Sequence, residues 1–337
     1  MSGYCTVSIG SGLVDSIYGN CQVPLKSYLE KRGEAFERES LLKYLFRMET
    51  SRHWAERYSA ETAMDSFVPV GEGGDYPKTG FQESYKKDIE NMTFKNSFAV
   101  TRELMEDAMI GTMKQRANQL ITSYGRTREL FGRALYAGGL YGTTVNYGGK
   151  SFVCGSADGL NLFHKEHVNK VNGVKQCNLY KGAFSATVLD KMETEMQNRT
   201  GDNGELLAVA PDTIWIPNDA DLKRKVFSAI GADKEPTSAN NAYNYQFGRW
   251  NVIVDPYMTK ALKDLGKTDV PFFLLDSHFI QMADAAIFQD RVKLEVRSVL
   301  DENNDNNVWK GFSRFGAGFV DWRFISAGNM STGNDLT

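Results

Sequence analysis

The chain has 337 residues, of which 42% are hydrophobic and 24% are charged, and its formal net charge is −3. This composition excludes an intrinsically disordered chain, which would carry fewer apolar residues and a larger net charge. Lysine and arginine are spread along the chain, whereas a dedicated nucleic-acid binder usually concentrates them in one basic stripe or tail. The length predicts roughly two domains.

The N-terminal sequence has no basic start followed by an apolar run, so it does not predict a signal peptide. No stretch approaches the roughly 20 apolar residues that span a bilayer. The four cysteines are too widely spaced to predict a disulfide framework. We therefore expect a protein that is made and kept in a reducing cytoplasm, with no membrane partner.

The first part of the chain predicts an arm and a helix. Residues 1–37 contain glycine and show no sustained period, which predicts a flexible N-terminal arm. From Ser40 to Tyr58 the apolar residues recur at helical spacing, so we expect a helix there.

A hairpin is predicted next. Residues 65–81 are rich in glycine and proline, which forbids a helix and favours turns. On the far side, residues 92–100 alternate apolar and polar side chains with the period of a strand. Together they predict a long two-stranded hairpin with a glycine-rich tip. Since an isolated two-stranded ribbon is marginally stable in water, this hairpin needs a neighbour.

The strongest helical pattern runs over residues 112–137 and predicts a long spine helix. Its predicted buried stripe steps by three and four residues and consists of Met113, Ala117, Leu120, Tyr124, Thr127, Phe131 and Ala134. Gly138 and Gly139 are a natural end for the helix. Gly125 and Gly132 lie inside it, and we expect another backbone to pack closely against them.

Residues 181–289 alternate helical and strand patterns, which is typical of a compact mixed domain. We expect a helix over residues 185–198 and a buried strand over Thr213 to Pro217. We expect a second helix that is capped by Asn218 or Asp219 and ends at Gly231. A strand over residues 250–255 follows it and completes the domain.

The C-terminal part predicts an antiparallel group of strands. Apolar and charged residues alternate over residues 291–297, and two aromatic segments, at residues 309–316 and 317–325, are expected to form further strands. Their aromatic side chains could stack nucleic-acid bases, but in alternating strands they are more typical of a core. Residues 301–307 lack the ligand spacing of a calcium loop and indicate a solvated turn.

Catalytic motifs are missing from the sequence. The run Gly149-Lys150-Ser151 lacks the glycine that a phosphate-binding loop places five residues earlier, where Thr144 stands. No Gly-x-Ser-x-Gly motif for a nucleophilic serine is present. The sequence therefore predicts no catalytic residue and no cofactor, and the chain is interpreted as not being an enzyme.

One group of residues leaves a metal site open. Cys154, His164, His167 and Cys177 are the donor types of a tetrahedral zinc site. Their spacing lacks the close cysteine pair that identifies such sites, so structural cysteines and histidines are the favoured interpretation. A zinc-dependent hydrolase built on this region is the alternative from a different functional class.

The order of these parts resembles the major capsid proteins of tailed bacteriophages. A glycine-tipped hairpin returns through MTFKNSFAVTRELMEDAM, and a spine helix, a mixed domain and a strand group follow. FHKEHVN (163–169) and RFGAGFVDWRFISAGN (314–329) are similar to Mu-like head subunits in particular. The resemblance covers about residues 60–330 and implies the α+β Hong Kong 97-type capsid fold.

That fold implies four parts in the chain. They are an N-terminal arm and helix (1–60), an extended loop lying over a neighbouring subunit (61–97), a peripheral domain (98–180 and 290–337, with the spine helix at about 112–137) and an axial domain (181–289). Lys78, Lys86 and Lys87 lie in the loop region. One branch of the family forms a covalent Lys–Asn cross-link, and nothing in the sequence singles out an asparagine partner.

The resemblance also implies the partners. The chain would assemble with itself, through pentamers and hexamers, into an icosahedral head that encloses double-stranded DNA without reading its sequence. Separate scaffolding, portal and decoration proteins would act with it, and assembly would take place in the bacterial cytoplasm before the chain becomes part of the virion. The shell of an encapsulin-type nanocompartment, which has the same fold, is an alternative.

Overall fold

A computed structural model describes residues 31–61, 67–76, 83–103, 110–233, 243–301 and 306–336. Its strands are β1 (Arg47–Thr50), β2 (Ala55–Glu61), β3 (Glu83–Glu90), β4 (Met92–Val100), β5 (Thr144–Tyr147), β6 (Lys150–Val153), β7 (His167–Val168), β8 (Lys175–Gln176), β9 (Thr213–Pro217), β10 (Asn251–Asp255), β11 (Phe272–Leu275), β12 (Ala286–Asp301), β13 (Asn306–Phe319) and β14 (Ile325–Gly328). Its helices are α1 (Leu42–Leu45), α2 (Ile110–Gly139), α3 (Ala186–Gln197), α4 (Ala220–Ile230), α5 (Pro256–Asp264) and α6 (Ser277–Met282). None of these helices combines the length and hydropathy of a membrane span.

The N-terminal predictions need correction. Most of the predicted arm, residues 1–30, lies outside the described residues, and residues 31–39 are helical. The helix expected from Ser40 to Tyr58 is wrong, because it shrinks to α1 and is followed by β1 and β2. The apolar residues fit the helical period, but β1 pairs in parallel with β12. That long-range pairing overrides the local pattern, as tertiary context often does.

The spine helix is confirmed. It is α2, 30 residues long, which at about 1.5 Å per residue gives a rod of about 45 Å. It ends at Gly139, as the glycine pair predicts. Side chains, not a backbone, pack against its internal glycines: the Phe36 ring lies where a side chain at Gly125 would be, and Leu42 does the same at Gly132.

One face of α2 packs on a four-stranded sheet with the order β1-β12-β13-β4. The strand predicted over residues 92–100 is confirmed as β4, but its place in the hairpin is wrong, because it pairs with β13 along its whole length. Aromatic side chains explain this choice. The Phe94 ring stacks on Phe315 at 4.1 Å between centroids, and Phe131 of α2 covers this pair edge-on at 5.6 to 5.7 Å. Such cross-strand aromatic pairs stabilise a sheet.

The second sheet has the order β10-β9-β11-β14. The predicted helix at residues 185–198 and the strands at 213–217 and 250–255 are confirmed as α3, β9 and β10. Ser185 caps α3 and Asp219 caps α4, since each side chain accepts a hydrogen bond from a backbone N–H of the first turn. A core cluster of α3, α4 and this sheet is built around Leu189, Ile214 and Leu274.

The strand predicted over residues 317–325 is wrong. Residues 317–319 continue β13, and β14 leaves that sheet and pairs antiparallel with β11. Between them Trp322 and Phe324 turn into the core cluster that joins the two sheets. The division of the chain into peripheral and axial domains stays a prediction. Strand pairing places residues 325–328 in the same sheet as β9, β10 and β11 of the predicted axial domain.

The buried face of α2 can be tested with two substitutions one residue apart. Leu120 is 5% exposed and Gln119 is exposed. Replacing Leu120 by Asp should place an unpaired charge between α2 and β13, which costs several kcal/mol of unfolding free energy. Replacing Gln119 by Asp should change the melting temperature little. Equal melting temperatures for the two variants would contradict this helical face.

Candidate assembly surface

The carboxylate of Asp255 joins the second sheet to the spine helix. Asp255 is fully buried at the end of β10, and its Oδ2 atom lies 2.6 Å from Nε of Arg133 on α2. The same oxygen accepts a hydrogen bond of 3.2 Å from the Trp215 indole. Its other oxygen caps α5 by accepting from the backbone of Tyr257. A charge this deeply buried persists because it is paired and hydrogen-bonded.

Further buried charges fix the orientation of α2. Arg128 forms a bidentate pair with Asp290 of β12, at 2.5 and 2.8 Å. Arg133 also pairs with Glu129, one turn earlier, at 2.5 Å. Sequence reasoning missed these residues. The available signal was the presence of charged residues between the apolar positions of α2, next to the predicted buried stripe.

The base of the β2–β3 hairpin is held by its own subunit. Lys87 Nζ donates a hydrogen bond of 2.8 Å to the carbonyl oxygen of Gly155, and burial lowers the pKa of Lys87. The Tyr85 hydroxyl lies 3.5 Å from the carbonyl oxygen of Val168, and Lys170 lies over the Tyr85 ring at 5.3 Å. The hairpin therefore rests on the loop of residues 155–170.

The tip of the hairpin makes no comparable contact in its described part, residues 67–76. Phe67 and Tyr76 are 103% and 94% exposed. Glu72 and Asp75 are exposed too, and no lysine or arginine lies within residues 67–76. This acidic, apolar segment, called the hairpin tip below, exposes aromatic surface of the kind that marks an interaction site. Residues 62–66 and 77–82, which include Lys78, lie outside the described residues.

A second exposed surface lies on the face of β4, β12 and β13 that is turned away from α2. The register places Glu295, Phe312 and Lys95 in one row and Arg297, Lys310 and Ser97 in the next. They line a shallow depression of about 600 Å³. Lys95 lies over the Phe312 ring at 5.8 Å, and Arg297 pairs with Glu295 at 3.2 Å. This basic sheet face carries three cations and one carboxylate.

The donor atoms of the four zinc candidates lie against other partners and not around a shared site. The Sγ atom of Cys154 lies 3.4 Å from the carbonyl oxygen of Gly142, and that of Cys177 lies 3.2 Å from the carbonyl oxygen of Leu179. Burial raises the pKa of Cys154 to about 12 and also raises the pKa of Cys177. Both thiols are therefore held in the protonated form, which is not the metal-binding form.

The two histidines have other partners as well. Nδ1 of His164 lies 2.8 Å from the carbonyl oxygen of Glu166, and Nδ1 of His167 lies 2.6 Å from Oδ2 of Asp158. Within the part of the chain that the structure describes, no three or more His, Cys, Asp or Glu side chains are grouped to hold a metal ion. The tested phosphate-loop run at Gly149 lies in the turn between β5 and β6, and not before a helix.

The decisive comparison is with protein families. Residues 86–327 match the family described as phage capsid protein. The chain belongs to this family. It is a structural capsid protein, and the family and fold favour this function over an encapsulin-type shell or a zinc hydrolase. Comparison with curated protein sequences finds no match.

Solved capsid structures share the fold at low sequence identity. The capsid of Ralstonia phage GP4 has a TM-score of 0.51 at 9% identity, covering 84% of this chain and 86% of that one. A structure from Mycobacterium phage Patience has a TM-score of 0.51 at 10% identity, covering 99% and 92%. The capsid of Cyanophage P-SCSP1u has a TM-score of 0.50 at 9% identity, covering 86% and 87%. The predicted Hong Kong 97-type fold is confirmed, and the Mu-like branch stays a prediction.

The buried Arg133–Asp255 pair predicts that two arginines of α2 contribute very differently to the free energy of unfolding. Replacing Arg133 by Met should lower the free energy of unfolding by about 3–5 kcal/mol, because Asp255 and Glu129 are left buried without their shared cation. Replacing the exposed Arg126 by Met should change it by less than about 0.5 kcal/mol. Urea denaturation of both variants measures the difference, and similar values would exclude a structural role for the pair.

Proposed function

We propose that this capsid protein assembles, through pentamers and hexamers, into an icosahedral head that encloses double-stranded DNA. The proposal rests on one observation: the chain carries two complementary exposed surfaces, the acidic, apolar hairpin tip and the basic sheet face. The tip would occupy the basic sheet face of the next subunit.

The contacts of β3 set the direction of the hairpin. At Glu90 the strand lies against Gly316 of β13, at Lys87 it lies on Gly155, and at Tyr85 it reaches Val168. Because Gly155 follows Cys154, which packs on Gly138 at the C-terminal end of α2, this order leads the hairpin toward that end of the helix.

The basic sheet face lies toward the other end of α2. Gly311, between Lys310 and Phe312, packs on Leu120. From Leu120 to Gly138 the helix extends about 27 Å at ~1.5 Å per residue. The described strand β3 thus leads away from the basic sheet face of its own subunit. A second copy of the chain is the partner that both surfaces fit.

Charge supports this pairing. The hairpin tip presents Glu72 and Asp75, and the basic sheet face presents Lys95, Arg297 and Lys310. Complementary potentials accelerate encounter and discourage wrong partners. The apolar parts also correspond, since the tip exposes aromatic rings and the depression is lined in part by aromatic and aliphatic side chains.

Two different surfaces produce a heterologous contact, which repeats from copy to copy and closes into rings when the rotation permits. Pentamers and hexamers are rings of this kind. The proposal extends to a peripheral domain with the spine helix, an axial domain at the ring centres, and scaffolding, portal and decoration proteins as separate partners. The small net charge of −3 suits a wall that contains DNA without binding it tightly. Assembly would take place in the host cytoplasm.

A charge-reversal series tests the contact. Replacing Lys95 and Lys310 by Glu should slow assembly about tenfold or more at low salt, because the approaching tip is then repelled. Adding Glu72→Lys and Asp75→Lys to the same chain should restore much of the rate. Lys150→Glu, an exposed reversal on β6, is the matched control. Light scattering and electron microscopy measure assembly, and a lack of rescue by the second pair would refute the proposed contact.

Removing part of the tip separates folding from assembly. Deletion of residues 70–76 should leave a soluble subunit with a nearly unchanged melting temperature, because these side chains are exposed on their own subunit. The same deletion should abolish or cripple shell formation, since the contact between copies is lost. A variant that unfolds would show that the tip packs on its own domain. A variant that forms normal shells would remove the tip from the assembly contact.

A further inference from the structure

A buried histidine lies beneath the hairpin base, in a cluster that the assembly contact does not use. His167 on β7 is buried, and its ring stacks on the Trp322 indole at 4.1 Å between centroids with the planes 6° apart. Its Nδ1 atom lies 2.6 Å from Oδ2 of Asp158. Its Nε2 atom is also buried and has no hydrogen-bond partner among the residues that the structure describes.

Cations already surround the same indole. The guanidinium groups of Arg199 and Arg323 lie 5.3 and 5.0 Å from the Trp322 ring. Arg199 is held by backbone carbonyl oxygens of residues 323 and 325, whereas Arg323 pairs with Asp202 at 2.8 Å. Several charged and titratable groups surround His167. Its own loop supplies Asp158 and His164, and Arg199 follows the end of α3. Near Trp322 lie Arg323 and its partners Asp202 and Asp321.

This arrangement accepts neutral imidazole more readily than imidazolium. In the neutral form Nδ1–H donates to Asp158 and no proton is present on Nε2. A second proton would place a buried N–H without an acceptor on a ring stacked against an indole that two guanidinium groups already contact. Burial lowers the pKa of His167 in spite of the opposing effect of Asp158.

The loop that His167 fastens is the one on which the hairpin rests. Asp158 lies in the turn that follows Gly155, whose carbonyl oxygen accepts from Lys87. Val168, next to His167, contacts Tyr85 of β3. The His167–Asp158 contact therefore ties both parts of this support together.

We propose that His167 is an acid-sensitive latch, which holds the base of the β2–β3 hairpin on the subunit when it is neutral and releases it when it is protonated. A histidine with a lowered folded-state pKa contributes stability above its unfolded pKa of about 6.5, and this stability is lost as the pH falls through the folded value. As this stability is lost, the loop loosens and the hairpin base gains freedom. The latch concerns the free subunit and does not depend on where the hairpin tip binds.

Hydrogen–deuterium exchange of β3 at pH 7.5 and 5.0, corrected for intrinsic exchange rates, tests the latch. Acidification should reduce the protection of residues 83–90 by up to about tenfold for each pH unit below the pKa of the released histidine, about 6.5, until the pKa of His167 in the held form is reached. His167→Gln should remove this pH dependence. His278→Gln, at an exposed position on α6, should keep it.

A second variant keeps the test decisive if His167→Gln does not fold. Asp158→Asn still offers an oxygen to Nδ1–H but removes the anion that favours imidazolium, so the pKa of held His167 should fall further. The acid-induced loss of protection should then continue to lower pH and become larger. Protection of β3 that does not change with pH in the unmodified protein would overturn the proposal. So would a smaller acid-induced loss of protection in Asp158→Asn, or the full acid response in a folded His167→Gln variant.

Discussion

The pairing of Arg133 with Asp255 is the constraint on which the architecture depends. The Asp255 carboxylate, at the end of β10, caps α5 and accepts a hydrogen bond from the Trp215 indole. It also neutralises the charge of Arg133 on the spine helix. Because each of these roles needs the same buried charge, α2 cannot rotate or slide without leaving it unpaired. The Arg128–Asp290 pair fixes the helix on the other sheet in the same way. The two sheets are therefore held at defined positions along one rod.

Local patterns predicted the elements whose residues contact near sequence neighbours or a generic apolar face. The spine helix, α3 and β9 have clear periods and recognisable caps or ends, so their ranges agree with the prediction. The errors lie where the partner is distant. Residues 47–50 fit a helical spacing, but they pair with β12. Ile325 ends the predicted aromatic strand at 317–325, but it begins β14, which pairs with β11. No local period contains the identity of such a partner.

The assembly surfaces divide in the same way. The hairpin tip was predictable, because its glycine and proline content excludes a helix and its apolar residues have no strand period. The basic sheet face was not, since Lys95 is about 215 residues from Lys310 in sequence and only the register of β4 on β13 brings them together. The four zinc candidates show the opposite case: their residue types suggest a site, but neighbouring carbonyl and carboxylate oxygens hold all four.

The parallel pairing of β1 with β12 has a consequence for synthesis on the ribosome. Arg47 pairs with Ile287, about 240 residues later, and the basic sheet face requires residues up to Phe312. The first edge strand must therefore wait until most of the chain has emerged, because it has no earlier partner in that sheet. Under the proposed contact, a chain that stops before β13 contains the hairpin tip but lacks Lys310 and Phe312 of the surface that would receive it. Complete translation is then a condition for continued growth of the shell.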